Sequence, residues 1–402
     1  MEKKNVPKIR FPGFTEPWKQ HKLGDYLTIP EKIKAEIKSY NDLMTVKLNL
    51  GGVDIGANRE TLDFGSTIYY KRKAGQFIYG KQNFFNGSMA IVPKRLDGKA
   101  TSGDVPALDI NGINSNYLYI YVSREDYWKR KEASASGTGS KRIHEKTLFQ
   151  FDIDVPSLKE QEVISLFFIK LDNLITLHQH KLEHLKKQKK GLLQKMFPKN
   201  GEKVPEIRFP GFTDDWEQRK LGEVCSEIGD GLHSAPIYVE NGEYYFINGN
   251  NLVNGKIVID TENTKSVSID TFNSNDKKLD NTTILMSING TIGNLAYYQG
   301  ENVMLGKSAA YLKCQYINKM FLFFLLQTNS VLNEFMLSLT GTTIKNLGLE
   351  AIKNTSVLVP SDNEQKKVGT FFNKLDNLIS LHQRKLEHLQ KQKKALLQQM
   401  FL

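Results

Sequence analysis

Two stretches of this chain occur twice, and what lies between them does not. Residues 6–24, VPKIRFPGFTEPWKQHKLG, return as VPEIRFPGFTDDWEQRKLG at 204–222, and residues 167–197, FFIKLDNLITLHQHKLEHLKKQKKGLLQKMF, return as FFNKLDNLISLHQRKLEHLQKQKKALLQQMF at 371–401. The intervening segments, 25–154 and 223–358, are close in length but share almost no text. A chain that duplicates a frame and varies its contents presents two different surfaces in one fixed geometry. The repeat divides the chain into units of ordinary domain size. The expected parts are a variable domain over 1–156, a long helix over 157–198, a linker at 199–203, a second variable domain over 204–360 and a second long helix over 361–402.

The helices are signalled at both ends. Ser157 with Glu160, and Ser361 with Glu364, each follow a proline and have the spacing of a capping box. Apolar residues then recur at steps of three, four and seven: Phe167, Leu171, Leu174, Leu182, Leu185, Leu192 and Met196, matched by Phe371, Leu375, Leu378, Leu386, Leu389, Leu396 and Met400. That pattern predicts a coiled-coil seam, and about 40 residues at 1.5 Å each give a helix about 60 Å long. A compact domain often has its ends close together, so the second helix is expected to start near the end of the first and run back. The fold class expected is α+β: two globular mixed α/β domains separated by two long antiparallel coiled-coil helices, in a pseudo-twofold internal repeat. The run Lys186–Lys190 reads best as the solvated face of such a coil. His180 and His184 have a metal-compatible spacing, but Arg384 replaces His180 in the second copy and no further ligand completes a set, so no metal is assigned.

Charge narrows the partner. The 55 Lys+Arg against 44 Asp+Glu leave a net charge of +11, which favours a polyanion. Two cysteines, Cys225 and Cys314, make neither a disulfide framework nor a four-ligand zinc site and suit a reduced cytoplasm. The opening MEKKNVPKIR is polar and charged, unlike a secretory signal, and the most apolar run, Met320–Leu326, is too short to cross a bilayer, so no membrane partner is expected.

Within the variable domains, Gly, Asn and Tyr are frequent, and Asn116–Val122, Ile257–Ile259 and Thr283–Met286 read as short strands. The repeated Phe-Pro-Gly-Phe motif and its tryptophan, Phe11–Trp18 and Phe209–Trp216, are expected to dock each domain on the helix ends. Double-stranded DNA is the polyanion that the remaining polar residues suit. The candidates in the first domain are Lys71, Arg72, Lys73, Lys81, Asn83, Lys94, Arg95, Lys99, Lys141 and Arg142. In the second they are Asn248, Asn250, Asn251, Lys256, Ser287, Asn289, Lys307, Lys345 and Asn346. Arg and Lys pair with guanine acceptors and Asn with adenine, so these are the side chains that base readout needs; any one of them is equally at home on a solvated surface. The pairs Gly137-Thr138, before Lys141-Arg142, and Gly341-Thr342, before Lys345-Asn346, suit a phosphate oxygen. A plain turn explains them as well.

Catalytic patterns fail on inspection. Leu305-Gly306-Lys307-Ser308 resembles the end of a phosphate loop, but the upstream glycine position holds Glu301. Pro360-Ser361-Asp362 with Glu364-Gln365-Lys366 resembles a nuclease pattern, yet it coincides with the helix cap. There is no glycine-rich strand-to-helix turn for S-adenosylmethionine or a nucleotide, and no Asn-Pro-Pro-aromatic tetrapeptide.

The duplicated Phe-Phe-x-Lys-Leu-Asp-Asn-Leu-Ile, followed by His-Gln-x-Lys-Leu-Glu-His-Leu and Lys-Gln-Lys-Lys, closely resembles the conserved regions of specificity subunits of type I restriction-modification systems. Phe-Pro-Gly-Phe plus Trp, Asp230-Gly231-Leu232-His233 and Gly290-Thr291-Ile292-Gly293 are similar to their target recognition domains. The resemblance implies a non-catalytic subunit that selects a bipartite DNA site for adenine methylation. Its implied partners are two methyltransferase subunits and, optionally, two restriction subunits. S-adenosylmethionine, Mg²⁺ and ATP would be held by those partners, and none by this chain. Rival readings are a free-standing DNA-binding regulator, a concealed methyltransferase and a pure coiled-coil scaffold.

Overall fold

A computed structural model describes residues 6–56, 67–137, 141–199 and 201–401. The chain forms two compact units. The first comprises residues 1–178 together with 385–402, and the second residues 179–384. Each long helix, Leu158–Lys195 and Asp362–Gln399, therefore begins in one unit and finishes in the other.

Each variable domain is built on a four-stranded antiparallel sheet. In the first domain the strands lie in the order Leu27–Thr28, Ala107–Ile110, Phe77–Tyr79, Met89–Ile91. In the second the order is Glu227–Asp230, Ala309–Lys313, Thr283–Ser287, Leu295–Tyr297. Numbered along the chain, both sheets read first, fourth, second, third. The plan is thus shared where the text is not: the central strands Phe77–Tyr79 and Thr283–Ser287 are buried along their whole length, which asks for side chains of suitable bulk and leaves their identities free to change. What surrounds the sheets differs. The first domain adds the hairpin Met44–Val46/Val53–Ile55 and the antiparallel strand pair Tyr69–Lys71/Ala100–Ser102. The second adds a three-stranded sheet in which Tyr244–Ile247 lies between Ser266–Val267 and Val303–Leu305, the latter parallel to it.

The repeated motif clasps the start of each long helix. Glu160 and Glu364 are each 1 % exposed, and a carboxylate at that depth needs a cation. Arg10 supplies two hydrogen bonds to Glu160, at 2.7 and 2.8 Å, and Arg208 supplies two of the same length to Glu364. The expected capping box is thereby redirected. The Ser157 hydroxyl still accepts from the Glu160 amide, at 3.4 Å, but the glutamates serve the arginines instead of the helix amides. Beside them, strand Lys19–Lys22 pairs with Asp152–Val155, and Glu217–Lys220 with Ser356–Val359. Trp18 and Trp216 are buried against these joints.

Helix tails complete the aromatic cores. In the first unit the Phe401 ring lies 6.0 Å from Trp18, 5.9 Å from Tyr117 and 6.0 Å from Phe168. In the second, Phe197 lies 5.9 Å from Trp216, 5.5 Å from Phe321 and 5.9 Å from Phe372. The helix segments in each unit run antiparallel: Lys393 pairs with Asp172 at 2.6 Å in the first, and Lys189 with Asp376 at 2.8 Å in the second. Of the expected seam, Leu182, Met196, Leu375, Leu386, Leu389 and Met400 are buried, but Leu174 and Leu378 are 37 % and 46 % exposed; near the start of the first helix Ile164, Phe168 and Ile175 are buried instead.

Residues 116–122, expected as a strand, belong to helix Ser115–Val122. The Asn114 side chain accepts hydrogen bonds from the Asn116 and Tyr117 amides, an N-cap that outweighs the strand propensity of the aromatic residues. Asn318 caps helix Lys319–Leu325 in the same way. Among the described residues no single helix is long and apolar enough to cross a membrane; the bent pair Lys319–Leu325 and Asn329–Leu337 passes only by length and composition, and Phe321, Leu322 and Phe324 in it are fully buried.

Candidate nucleic-acid interface

One end of each four-stranded sheet gathers three segments, by matching backbone hydrogen bonds. In the first domain the Lys81 amide donates to Asp104 and its carbonyl accepts from Ile143. In the second the Ile288 amide donates to Ser308 and its carbonyl accepts from Leu347. Asp104 and Ser308, like Ile143 and Leu347, stand 204 positions apart, the offset of the repeated helices. The third segment carries an antiparallel bridge in both: Ser136 with Arg142, and Thr340 with Asn346. Gly137 and Gly341, next to the first partner of each bridge, have φ +115° and +88°, a conformation that favours glycine. Thr138 lies outside the described residues.

At this end of the second sheet, Asn248, Ser287, Asn289, Lys307, Lys345 and Asn346 converge. The Ser308 hydroxyl donates to Asn248 Oδ1 at 2.8 Å and accepts from the Gly249 amide at 3.0 Å. A Cβ on Gly306 would stand 2.4 Å from Asn248 Oδ1, so only glycine permits this approach. Buried Ser287 accepts from the Asn294 amide at 2.8 Å, and Asn251 donates to the Val258 carbonyl at 2.9 Å. These side chains shape the loops. Asn289 pairs with Asn346 along the backbone, and the Gly290 amide donates to the Lys345 carbonyl. Lys307 and Lys345 are exposed and make no side-chain ion pair among the described residues. Leu305–Ser308 joins strand Val303–Leu305 to strand Ala309–Lys313, so no helix follows the apparent phosphate loop. Asn250 and Lys256 are exposed but take no part in these contacts.

Cations at the corresponding end of the first domain are paired. Lys81 lies 3.0 Å from Glu145, with both side chains largely buried. Burial pushes the Glu145 carboxyl up, but its own backbone hydrogen bond and Lys81 outweigh this and hold it below the usual range. Arg142 lies 2.8 Å from Asp104, Lys141 lies 2.9 Å from Glu132, and Asn83 accepts from Asn86 at 3.1 Å. The other cations gather elsewhere, around the strand pair Tyr69–Lys71/Ala100–Ser102. Lys71, Lys73 and Lys94 are exposed there and Lys99 is half-buried. Arg95 donates to the Val53 carbonyl at 2.6 Å and lies 3.4 Å from Asp54.

Arg72 turns inward. It is 5 % exposed and donates to Thr101 Oγ1 at 2.7 Å and to the Ser102 and Val105 carbonyls at 3.2 and 3.1 Å. Burial pushes its pKa down to about 10. Buried, and with its Nε and Nη2 donors committed to its own chain, Arg72 is removed from the DNA-facing set and becomes a support for the strand pair beside Lys71 and Lys73.

Sequence reasoning missed Asp104 and Ser308, which place the converging loops. It also missed Gln161 and Gln365, which accept from the Asn114 and Asn318 amides and donate to the Pro156 and Pro360 carbonyls, tying each domain to its helix. The constant offset of 204 was the available signal.

The profile of the family described as "Type I restriction modification DNA specificity domain" matches residues 15–187 and again 213–391. The chain belongs to this family. It is 25 % identical over 336 residues to the specificity subunit of the type I restriction enzyme MjaVIII of Methanocaldococcus jannaschii, covering 81 % of this chain and 75 % of that protein. The MjaIX specificity subunit of the same organism is 23 % identical over 71 % of this chain and 68 % of its own length. Among solved structures, the type I S subunit from M. genitalium superposes with a TM-score of 0.64 at 15 % identity, over 99 % of both chains. A chain from a study of type I complex assembly and conformational transition gives 0.50 at 15 %, over 98 % of this chain and 99 % of that one. The protein is a DNA-specificity subunit of the type I restriction-modification kind, a non-catalytic class of subunit.

Proposed function

We propose that each variable domain reads one half of a bipartite DNA site through the loop-bearing end of its four-stranded sheet. The carrying observation is that two sheets of identical strand order bring equivalent segments together while the side chains displayed there differ. Lys307, Lys345 and Asn346 are the leading contacts in the second domain. In the first, Lys81, Lys141 and Arg142 at the equivalent end, extended by Lys71, Lys73, Lys94, Arg95 and Lys99 around the neighbouring strand pair, supply cations to phosphates or guanine edges, and Asn83 supplies an amide. The two helices set the spacer between half-sites. They also dock two methyltransferase subunits, with two restriction subunits as optional additions, through exposed leucines that recur in both copies: Leu174 and Leu177, and Leu378 and Leu381. S-adenosylmethionine, Mg²⁺ and ATP belong to those partners. Domain limits of 1–156 and 204–360, with helices over 157–198 and 361–402, describe the functional parts, and the cytoplasm is the expected compartment.

The test is methylation mapping of DNA from cells expressing this chain with its cognate methyltransferase. A split motif with a fixed gap is expected. Inserting four residues at matched positions in both helices adds about 6 Å and should widen the gap while both half-sites persist. A continuous motif, or specific DNA binding by the chain alone that the methyltransferase does not improve, overturns the reading in favour of a free-standing regulator.

A further inference from the structure

The two units fill one equivalent space differently. In the first unit Arg124, 4 % exposed, places its guanidinium 4.2 Å from the Tyr121 ring, 5.9 Å from Tyr127 and 5.0 Å from Phe401. The Tyr121 hydroxyl donates to Asp154 at 2.7 Å and the Tyr127 hydroxyl to the Asp152 carbonyl at 2.8 Å. At the constant offset of 204, these three residues become Leu325, Thr328 and Val331, and the acceptors become Leu358 and Ser356. Replacing two tyrosines and an arginine by smaller side chains removes volume that a rigid frame does not refill. The second unit holds a cavity of about 430 Å³ in that place, lined by Phe197, Leu325, Val331, Ser356, Val357 and Leu358. Leu337, 89 % exposed, stands at its rim.

We infer that this cavity is a docking site for a partner protein that presents an arginine beside a tyrosine or phenylalanine. Such a pair restores what the first unit carries internally: a ring against Phe197 and a cation over the ring. Rim charge agrees. Lys199 shares Glu206 with Lys195, at 3.1 and 2.7 Å, and Lys203 lies 3.9 Å from Asp215. Glu334 spends one oxygen on the Ser356 amide at 3.1 Å, and Glu202 makes no ion pair among the described residues. Around the mouth the carboxylates Glu202, Glu206, Asp215 and Glu334 thus outnumber Lys195, Lys199 and Lys203 by one, an excess complementary to an arginine. Since the first unit has filled its own copy, the partner engages once per chain. This sets it apart from any subunit that uses the repeated leucines, and the inference does not rest on how DNA is read.

The probe is tyrosyl-arginine amide, titrated into the full chain with its Ile, Leu and Val methyl groups labelled for NMR. One site per chain is expected, with shifts concentrated at Leu325, Val331, Leu337 and Val357. Leucyl-leucine amide should bind at least tenfold more weakly. L325Y/V331Y, which transplants the first unit's rings, should weaken the probe at least tenfold and leave the methylation motif of the assembled complex unchanged. E334Q should weaken it several-fold. L337S alters a side chain that is almost wholly exposed and so tests the rim without burdening the fold; it should also weaken binding. No binding at 10 mM probe, two sites per chain, shifts located elsewhere, equal affinity for leucyl-leucine amide, or unchanged affinity in both L337S and L325Y/V331Y overturns the inference.

Discussion

The first domain meets solvent at the loop end of its sheet with cations that are already paired, and the second with cations that are not. Lys81, Lys141 and Arg142 each face a carboxylate. Lys345, equivalent to Lys141 at the shared offset, faces none among the described residues, and Asn346 replaces Arg142. A paired cation is held in one orientation and must exchange or share its partner to meet a phosphate, whereas an unpaired one is bound to water and is released readily. The same backbone therefore supports one preorganised surface and one adaptable surface. At this end the backbone pairings are kept while the side chains vary, and the arginine-glutamate clasp and the glutamine tie recur in both units.

The largest effect should come from breaking that clasp. R10M leaves Glu160 buried without a cation and R208M does the same to Glu364, each costing about 3–5 kcal/mol. Denaturant unfolding followed by tryptophan fluorescence, with Trp18 and Trp216 beside the two clasps, should show equal losses in separate transitions. A marked inequality would mean that the two frames are not equivalent in energy.

Next in size is the response to salt. In the assembled complex, K307A/K345A should lower the salt-dependence slope by about 1.8, at about 0.9 per phosphate contact. K141A/R142A should lower it by less, since those charges are already half-neutralised. K71A/K73A should lower the slope, but R72M should act on stability and leave the slope unchanged. Equal slopes for the first two pairs remove the electrostatic contrast between the domains.

Removing the helix caps is a smaller perturbation. N114A and N318A should each cost about 1 kcal/mol, measurable as matched shifts in the two unfolding transitions.

The smallest effect separates the domains by pH. Only the second contains cysteines, and burial pushes the Cys225 thiol up to about 12 and the Cys314 thiol up as well. Folded values above the unfolded one, about 8.5, mean that the neutral thiols contribute fully below pH 8.5 and progressively less as pH rises through 9 and 10. Between pH 8.5 and 9 the second domain's transition should soften by on the order of 1 kcal/mol, more than the first's, and C225A should reduce the difference.

Much of the frame was legible in the sequence, because repeated text marks repeated structure: the long helices, the tryptophan joints and the two-unit plan all follow from it. The shared sheet was not, since strand order is set by pairings distant in sequence and its residues were free to diverge. Helix Ser115–Val122 was misread because tyrosine, isoleucine and valine favour strands locally, and the overriding cap is one asparagine. The seam was displaced at Leu174 because the helix also packs against Phe11 and its domain through Phe167 and Phe168, which rotates the buried line. Arg72 was unreadable as a support, since its acceptors are carbonyls that no sequence displays.

Phe401 gives the molecule a timetable. Residues 385–401 complete the first unit, yet they are synthesised some two hundred residues after His178. At ribosomal rates of 5–20 residues per second that is a delay of about 10–40 s. Through that interval the nascent first unit carries an open aromatic socket formed by Trp18, Tyr117, Tyr121 and Phe168, while the second acquires Phe197 before its own domain is even translated. The amino-terminal half is thus the last to finish folding, and it is the half most exposed to chaperone capture on the ribosome.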